Sequence, residues 1–284
     1  MDSPDGCVPV FGDSDEWQRF FERHRTFFET FGALNDTIRK TLIREFEVDS
    51  ADKEVVHFLG RLTIEDFMEI LLLSGNGYGI GALKILRGQY ERTVTAAYIA
   101  KHPASAQRFV DYGNIQYGRM LNHAKRAYGR QGLEEILSPG KITEIEQAYS
   151  HSKDSFKEPL CKSCGTTRTS FSWSELDTAS MALKSGYGLE RLYHHAYMIP
   201  TQQAHATVLS LLTRIKRDTK GSKYFDPSPQ HEEADAALST AHCLMLTMLK
   251  VQNDFFHLGL DQELGQRNEE YVSSTLKADA NEDK

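Results

Sequence analysis

The sequence predicts an all-α fold: a bundle-like, multi-helix single domain with one long irregular loop at about residues 150–174. Three observations predict it. Apolar residues recur at helical spacing over long stretches of the 284 residues. Glycine, proline and capping residues punctuate those stretches. No alternating strand pattern of useful length, internal repeat or low-complexity block is legible.

Residues 1–12 hold Pro4, Gly6, Pro9 and Gly12 and read as a mobile lead-in. Asp13 or Ser14 can cap a helix near Trp17, whose apolar positions continue through Phe20, Phe27, Leu34, Ile38 and Leu42, with Gly32 as a candidate break. Asp49 or Ser50 caps the next helix, which holds Val55, Val56, Phe67, Ile70 and Leu71. SGNGYG (Ser74 to Gly79) is a turn. A third helix then runs to just before Pro103, because a residue preceding proline disfavours the α region. A fourth covers about 104–128.

The segment HSKDSFKEPLCKSCGTTRTSFSW is polar and forms the irregular loop. Ser174 with Asp177 has the form of a capping box that restarts helix through Leu183. From Pro200 a helix should continue through Leu211, Leu212 and Ile215, with Val208 and Leu209 pointing His205 toward the core. Ser228 and Pro229 suit the start of the last long helix, with Ala237, Leu244, Met245 and Met248 on one face. The expected organisation is a lead-in at 1–12, one helical domain at 13–265 and a polar tail at 266–284.

Composition removes several functions. A net charge of −7 argues against a protein that coats nucleic acid. No apolar run approaches the roughly 18–20 residues of a membrane span, and the acidic N-terminus lacks a signal peptide's basic and apolar regions. The expected location is cytoplasmic with no membrane partner, and a homo-oligomer is compatible with the composition.

The helix in Gly77–Pro103 carries the most informative pattern. Leu83, Leu86, Tyr90, Val94 and Ala97 form its apolar stripe, and Arg87, Glu91 and Tyr98 sit along the stripe's edge, within about 40° of one another. Arg87 and Glu91 are four apart and able to pair. They read as a structural ion pair, or as a recessed guanidinium that binds an anion. An opposite wall is available in GLERLYHHAYMIPTQQAH, where Tyr193 and Tyr197 are four apart, as are Thr201 and His205. His205 reads as a core histidine or as a general acid or base.

These residues carry a resemblance. The helix with LRGQYERTVTAAYIAKHP resembles the "Arg, then Glu four later, then an aromatic" helix of an uncharacterised family of bacterial helical proteins, catalogued as domain of unknown function 5677. The later part is similar too: Trp173 opening a helix, the Tyr193-x-x-x-Tyr197 region, Thr201, and His205 followed by Ala206 and Thr207. The resemblance spans about residues 55–255. It implies an all-α fold and Arg87, Glu91, Tyr197 and His205 as shared polar residues, and it supplies no activity. Cys161, Cys164 and the loop around them depart from the pattern.

The resulting expectation is a semi-buried polar pocket that binds a small anionic ligand or acts on it. Arg87, Tyr197, Tyr98, Thr201 and His194 are its ligand-binding candidates, and His205 and Glu91 its catalytic candidates. The first alternative is a HEPN-like ribonuclease or another defence-type enzyme acting on RNA. Arg19 and His24 have that class's spacing but lie in the first helix, while Arg214, Lys216, Arg217, Lys220 and Lys223 form the best patch for phosphates. The second is a non-enzymatic interaction module in which these residues are structural. Cys161-x-x-Cys164 reads first as a pair of ordinary reduced thiols; it is also half of a zinc site, which would need His151 plus a distant ligand, or a partner chain. Glu54-x-x-His57 and Asp254-x-x-His257 suit a di-metal bundle, though the further carboxylates fit it poorly.

Overall fold

The computed structural model describes residues 12–43, 45, 47, 49–160 and 164–282, with side chains up to residue 275. Among the described residues, eleven α-helices, four short 3-10 or π turns and two hairpins of three-residue strands form an all-α fold. The lead-in at 1–11 lies outside the described residues. Contacts group the chain into two compact units. One unit comprises the segments up to Glu47, Val56–Ala100 and from Thr178 onward; the other comprises 48–55 and 101–177.

The first unit opens with α1 (Ser14–Arg23), N-capped by Asp13, whose carboxylate accepts from the Asp15 amide at 2.9 Å. The chain breaks at His24 rather than at Gly32, and α2 (Arg25–Leu42) runs straight through that glycine. Phe20, Phe27, Leu34, Ile38 and Leu42 are buried along this pair, as their spacing predicts. α3 (Ala51–Gly75) leads through the Ser74–Tyr78 turn into α4 (Gly79–Lys101). The α4 stripe of Leu83, Leu86, Tyr90, Val94 and Ala97 is fully inside.

The second unit is built on α5 (Ala106–Glu134), kinked at Gly129, and α6 (Pro139–Ser152). A Cβ on Gly118 of α5 would stand 2.3 Å from the Tyr149 ring, so glycine there permits the close approach of α6. The expected irregular loop contains order. A 3-10 turn (Lys153–Phe156) leads into a hairpin of β1 (Lys157–Pro159) and β2 (Thr167–Thr169), paired Glu158 to Arg168. Phe156 anchors it against Tyr112 and Ile115, with Trp173 alongside. Ser174 does not cap the following helix; its hydroxyl accepts from the Leu176 amide at 3.0 Å.

The first unit resumes with α7 (Thr178–Ser185), then α8 (Ile199–Ala204) and α9 (Val208–Leu212), a hairpin of β3 (Ile215–Arg217) and β4 (Lys223–Phe225), and α10 (His231–Phe256). The helix expected from Pro200 through Ile215 is broken at His205–Thr207. α10 is N-capped by Gln230, not Ser228. The polar segment after Gly265 is helical, within α11 (Asp261–Glu282). Leu264 is buried there, and Glu263 accepts from the Thr37 hydroxyl at 2.7 Å and from Lys40 at 3.1 Å. Tertiary bonds therefore stabilise a helix that hydrophobic periodicity does not announce.

Two fixed points set where α4 begins and how it lies on its neighbours. A Cβ on Gly79 would meet the Gln230 carbonyl oxygen at 2.3 Å and the Ala234 amide nitrogen at 2.4 Å, both backbone atoms. Further along, Asp66 of α3 is 9% exposed and accepts both contacts of Arg92 Nη1, at 2.6 and 2.7 Å. Burial, opposed by Arg92, pushes the Asp66 carboxyl up to about 6. The folded state thus favours the protonated acid: its stabilisation is complete below 3.8 and is lost as pH rises through about 6.

Gly79→Ala is expected to destabilise the protein by about 1–3 kcal/mol in urea unfolding, since backbone cannot move aside cheaply. Gly81→Ala, whose nearest neighbour would lie at 3.6 Å, should be neutral or stabilising. The parent should lose stability relative to Asp66→Asn, by roughly 2–3 kcal/mol, as pH rises through the interval from 3.8 to about 6, measured by unfolding at fixed pH steps.

Candidate functional site

The site grows from one turn of α4. Tyr90 is fully buried, so its phenol needs an internal acceptor and finds the Leu189 carbonyl at 2.9 Å. On the neighbouring face, Arg87 and Glu91 stand one turn apart. The guanidinium Nε and Nη2 both donate to Glu91 Oε1, at 3.3 and 3.2 Å. Glu91 keeps 42% of its side chain exposed and Arg87 25%, so this pair is only partly buried.

The opposing segment is held on α4 by aromatic packing. Gly188 takes a left-handed φ of 73° and starts a 3-10 turn (Leu189–Leu192). A π-turn follows at His194–Met198, with the Ile199 amide reaching back five residues to the His194 carbonyl. Pro200 follows at once and has no N–H to return to the preceding turn, which suits a widened helix there. The rings of Tyr193 and Tyr197 stack at 5.1 Å, and both pack on Tyr90, at 6.3 and 6.1 Å. Tyr197 also lies under the Arg87 guanidinium, 5.2 Å from ring centre to Cζ.

His205 completes the arrangement, from an unexpected conformation. It leaves α8 in extended geometry (φ −107°, ψ 158°) and is exposed, not core-facing. The break has a local cause: Thr207 accepts from the Ser210 amide at 3.1 Å, and Ser210 reciprocates, forming a capping box that starts α9 afresh. Across the gap, His205 Nε2 lies 3.1 Å from Arg87 Nη1. A guanidinium only donates, so Nε2 is the acceptor and the ring is neutral with its proton on Nδ1.

The structure therefore brings Arg87, Glu91, Tyr197 and His205 together. Thr201 supports the wall from behind, its hydroxyl donating to the Tyr197 carbonyl at 2.6 Å. His194 is exposed, its ring edge-on to that of His195 at 5.1 Å. Tyr98 is half-buried, seven residues and about 10 Å along the helix axis from Glu91.

Beside His205 opens a cleft of about 580 Å³. Ile80, Gly81 and Lys84 of α4 form one side; Gln203, His205 and Ser210 form the other, with Arg214 and Tyr78 at the margins. Its lining contains no carboxylate. Lys84 is exposed and makes no ion pair among the described residues. Arg214 is fixed by Nη1 bonds to the carbonyls of Asp226 (2.9 Å) and Ser228 (2.8 Å). Gln203 is 8% exposed, and its Oε1 has no hydrogen-bond partner. Sequence reasoning missed Lys84, although it lies one turn before Arg87 on the same face; nothing in the sequence marks Gln203.

A family model described as a family of unknown function, DUF5677, matches residues 53–222. The chain belongs to this family. No curated protein and no solved structure matches it. The DUF5677 match ends at residue 222, short of the expected extent to about 255, but it includes Arg87, Glu91, Tyr197, His205, Lys84, Gln203 and Arg214.

The other sequence candidates have different surroundings. Cys161 lies outside the described residues; Cys164 is an exposed free thiol, 2.9 Å from the Thr166 hydroxyl. Among the described residues, no three His, Cys, Asp or Glu side chains gather as metal ligands. Arg19 pairs with the buried Glu16, and His24 Nε2 contacts Asp235 Oδ1 at 2.7 Å, with Arg23 on the same carboxylate. Burial of Asp235 works against its ionisation, but the bonds from His24 and Arg23 outweigh it and hold the carboxyl below its usual range. Arg19 thus pairs within α1, while Arg23 and His24 hold the end of α1 to Asp235 of α10.

In the free protein, ¹⁵N NMR should find the His205 proton on Nδ1. Arg87→Met, which removes the donor, should shift the ring toward the Nε2–H form; an unchanged tautomer would contradict the contact.

Proposed function

We propose that this DUF5677 protein binds a small anionic ligand in the cleft between the start of α4 and α8–α9. The observation that carries the reading is the charge of the cleft: its lining includes two cations, Lys84 and Arg214, and no carboxylate. Arg214 is pre-oriented by two backbone carbonyls, so little side-chain freedom is lost on pairing with an anion. Lys84 supplies a second, mobile positive charge.

In this reading Arg87 takes a different part from the anchor expected of it. Its three nitrogens serve Glu91 and His205 and its face rests on Tyr197, so it is a positioning residue. His205 in turn has its only ring lone pair engaged by Arg87. That leaves Nδ1–H as a donor and no nitrogen free to act as a base, which supports binding over general-base catalysis.

Isothermal titration with inorganic phosphate and pyrophosphate tests this reading. Saturable binding is expected, weakened by salt and reduced about tenfold or more in Lys84→Ala and in Arg214→Ala, since a charge-assisted bond contributes about 1.5–3 kcal/mol. Arg87→Met should weaken binding through His205 without removing a cleft cation. Equal affinity in the parent and both cleft variants would overturn the assignment.

A further inference from the structure

The inner side of α9 is polar and its outer side is not. Val208, Leu209, Leu211 and Leu212 are 71%, 56%, 55% and 56% exposed, while Ser210 turns inward to the Thr207 cap and the cleft. On a helical wheel the four aliphatics span one arc of about 160°, with Ser210 on the far side. The helix is inverted relative to a core-facing one, and such a cluster marks an interaction surface.

The chain passes from α9 directly into the β3–β4 hairpin. Lys216, Arg217, Lys220 and Lys223 are all exposed there, and none is ion-paired to a side chain among the described residues. From Arg214 to Phe225 the chain carries five cations against one acid, Asp218, in a protein of net charge −7. Tyr224 adds a half-exposed aromatic ring, a residue type suited to the boundary between apolar and aqueous layers.

We propose that α9 and the β3–β4 hairpin dock the protein on the surface of an anionic lipid bilayer. The aliphatic helix and the cationic hairpin are consecutive in the chain and α9 packs on β3, so a partner that engages both must offer apolar and anionic groups close together. Acyl chains beneath anionic headgroups meet that demand. No helix among the described residues is long and apolar enough to cross a membrane. Lying on a surface requires no such span, and the expectation of no membrane partner rested on the absence of one.

Co-sedimentation of the full chain with vesicles of phosphatidylcholine, with and without a third of phosphatidylserine, tests the proposal. Binding is expected to the anionic vesicles only, to fall with added salt, and to drop at least tenfold in Leu209→Ser/Leu212→Ser and in Lys216→Glu/Lys220→Glu. All four positions are exposed, and circular dichroism confirms folding of each variant. Absent binding, equal binding to both vesicle types, or binding unchanged by the leucine pair would overturn it. A parent dimer that the leucine pair converts to monomer in sedimentation velocity would also overturn it, by giving the face to a second copy.

Discussion

A fully buried phenol needs an internal partner for its hydroxyl, and in this protein that need ties two distant parts of the chain together. Tyr90 satisfies it with the carbonyl of Leu189, ninety-nine residues away. Once that bond is made, Tyr193 and Tyr197 fall onto the same ring, and the π-turn continues toward Pro200 along α4. Arg87 and Glu91 then have something to face. The polar cluster depends on an apolar anchor beneath it.

That anchor explains why partly exposed charges are arranged in a specific way. An isolated Arg–Glu pair on a helix surface contributes little, because solvent screens it and both side chains lose freedom. Here the guanidinium also lies over a tyrosine ring and donates to a histidine. Each partner restricts the others, so the gain lies in orientation more than in stability. The buried Gln203 Oε1 nearby, without a partner, adds a polar group left unsatisfied within the cleft wall.

Much of the fold was legible because α4, α2 and α10 present their apolar residues at helical spacing, and the structure buries those residues. The association of Arg87 and Glu91 with the Tyr197–His205 segment was foreshadowed by position along the stripe and by family resemblance. The break at His205 was not legible. VLSLL prolongs the helical spacing beyond it, and spacing cannot reveal that Thr207 and Ser210 cap each other instead. The hairpin inside the supposed loop escaped for another reason: strands of three residues are too short to show alternation. α11 escaped because Thr37 and Lys40, far away in sequence, satisfy Glu263.

α9 is a wall one helix thick. Ser210 looks into the cleft on one side, while Leu209 and Leu212 look outward on the other. One short helix, started by a single capping box, thus carries both faces. If an outer contact alters affinity in the cleft, the two are thermodynamically linked. Whatever factor the outer contact imposes on affinity in the cleft, occupation of the cleft imposes the same factor on the outer contact.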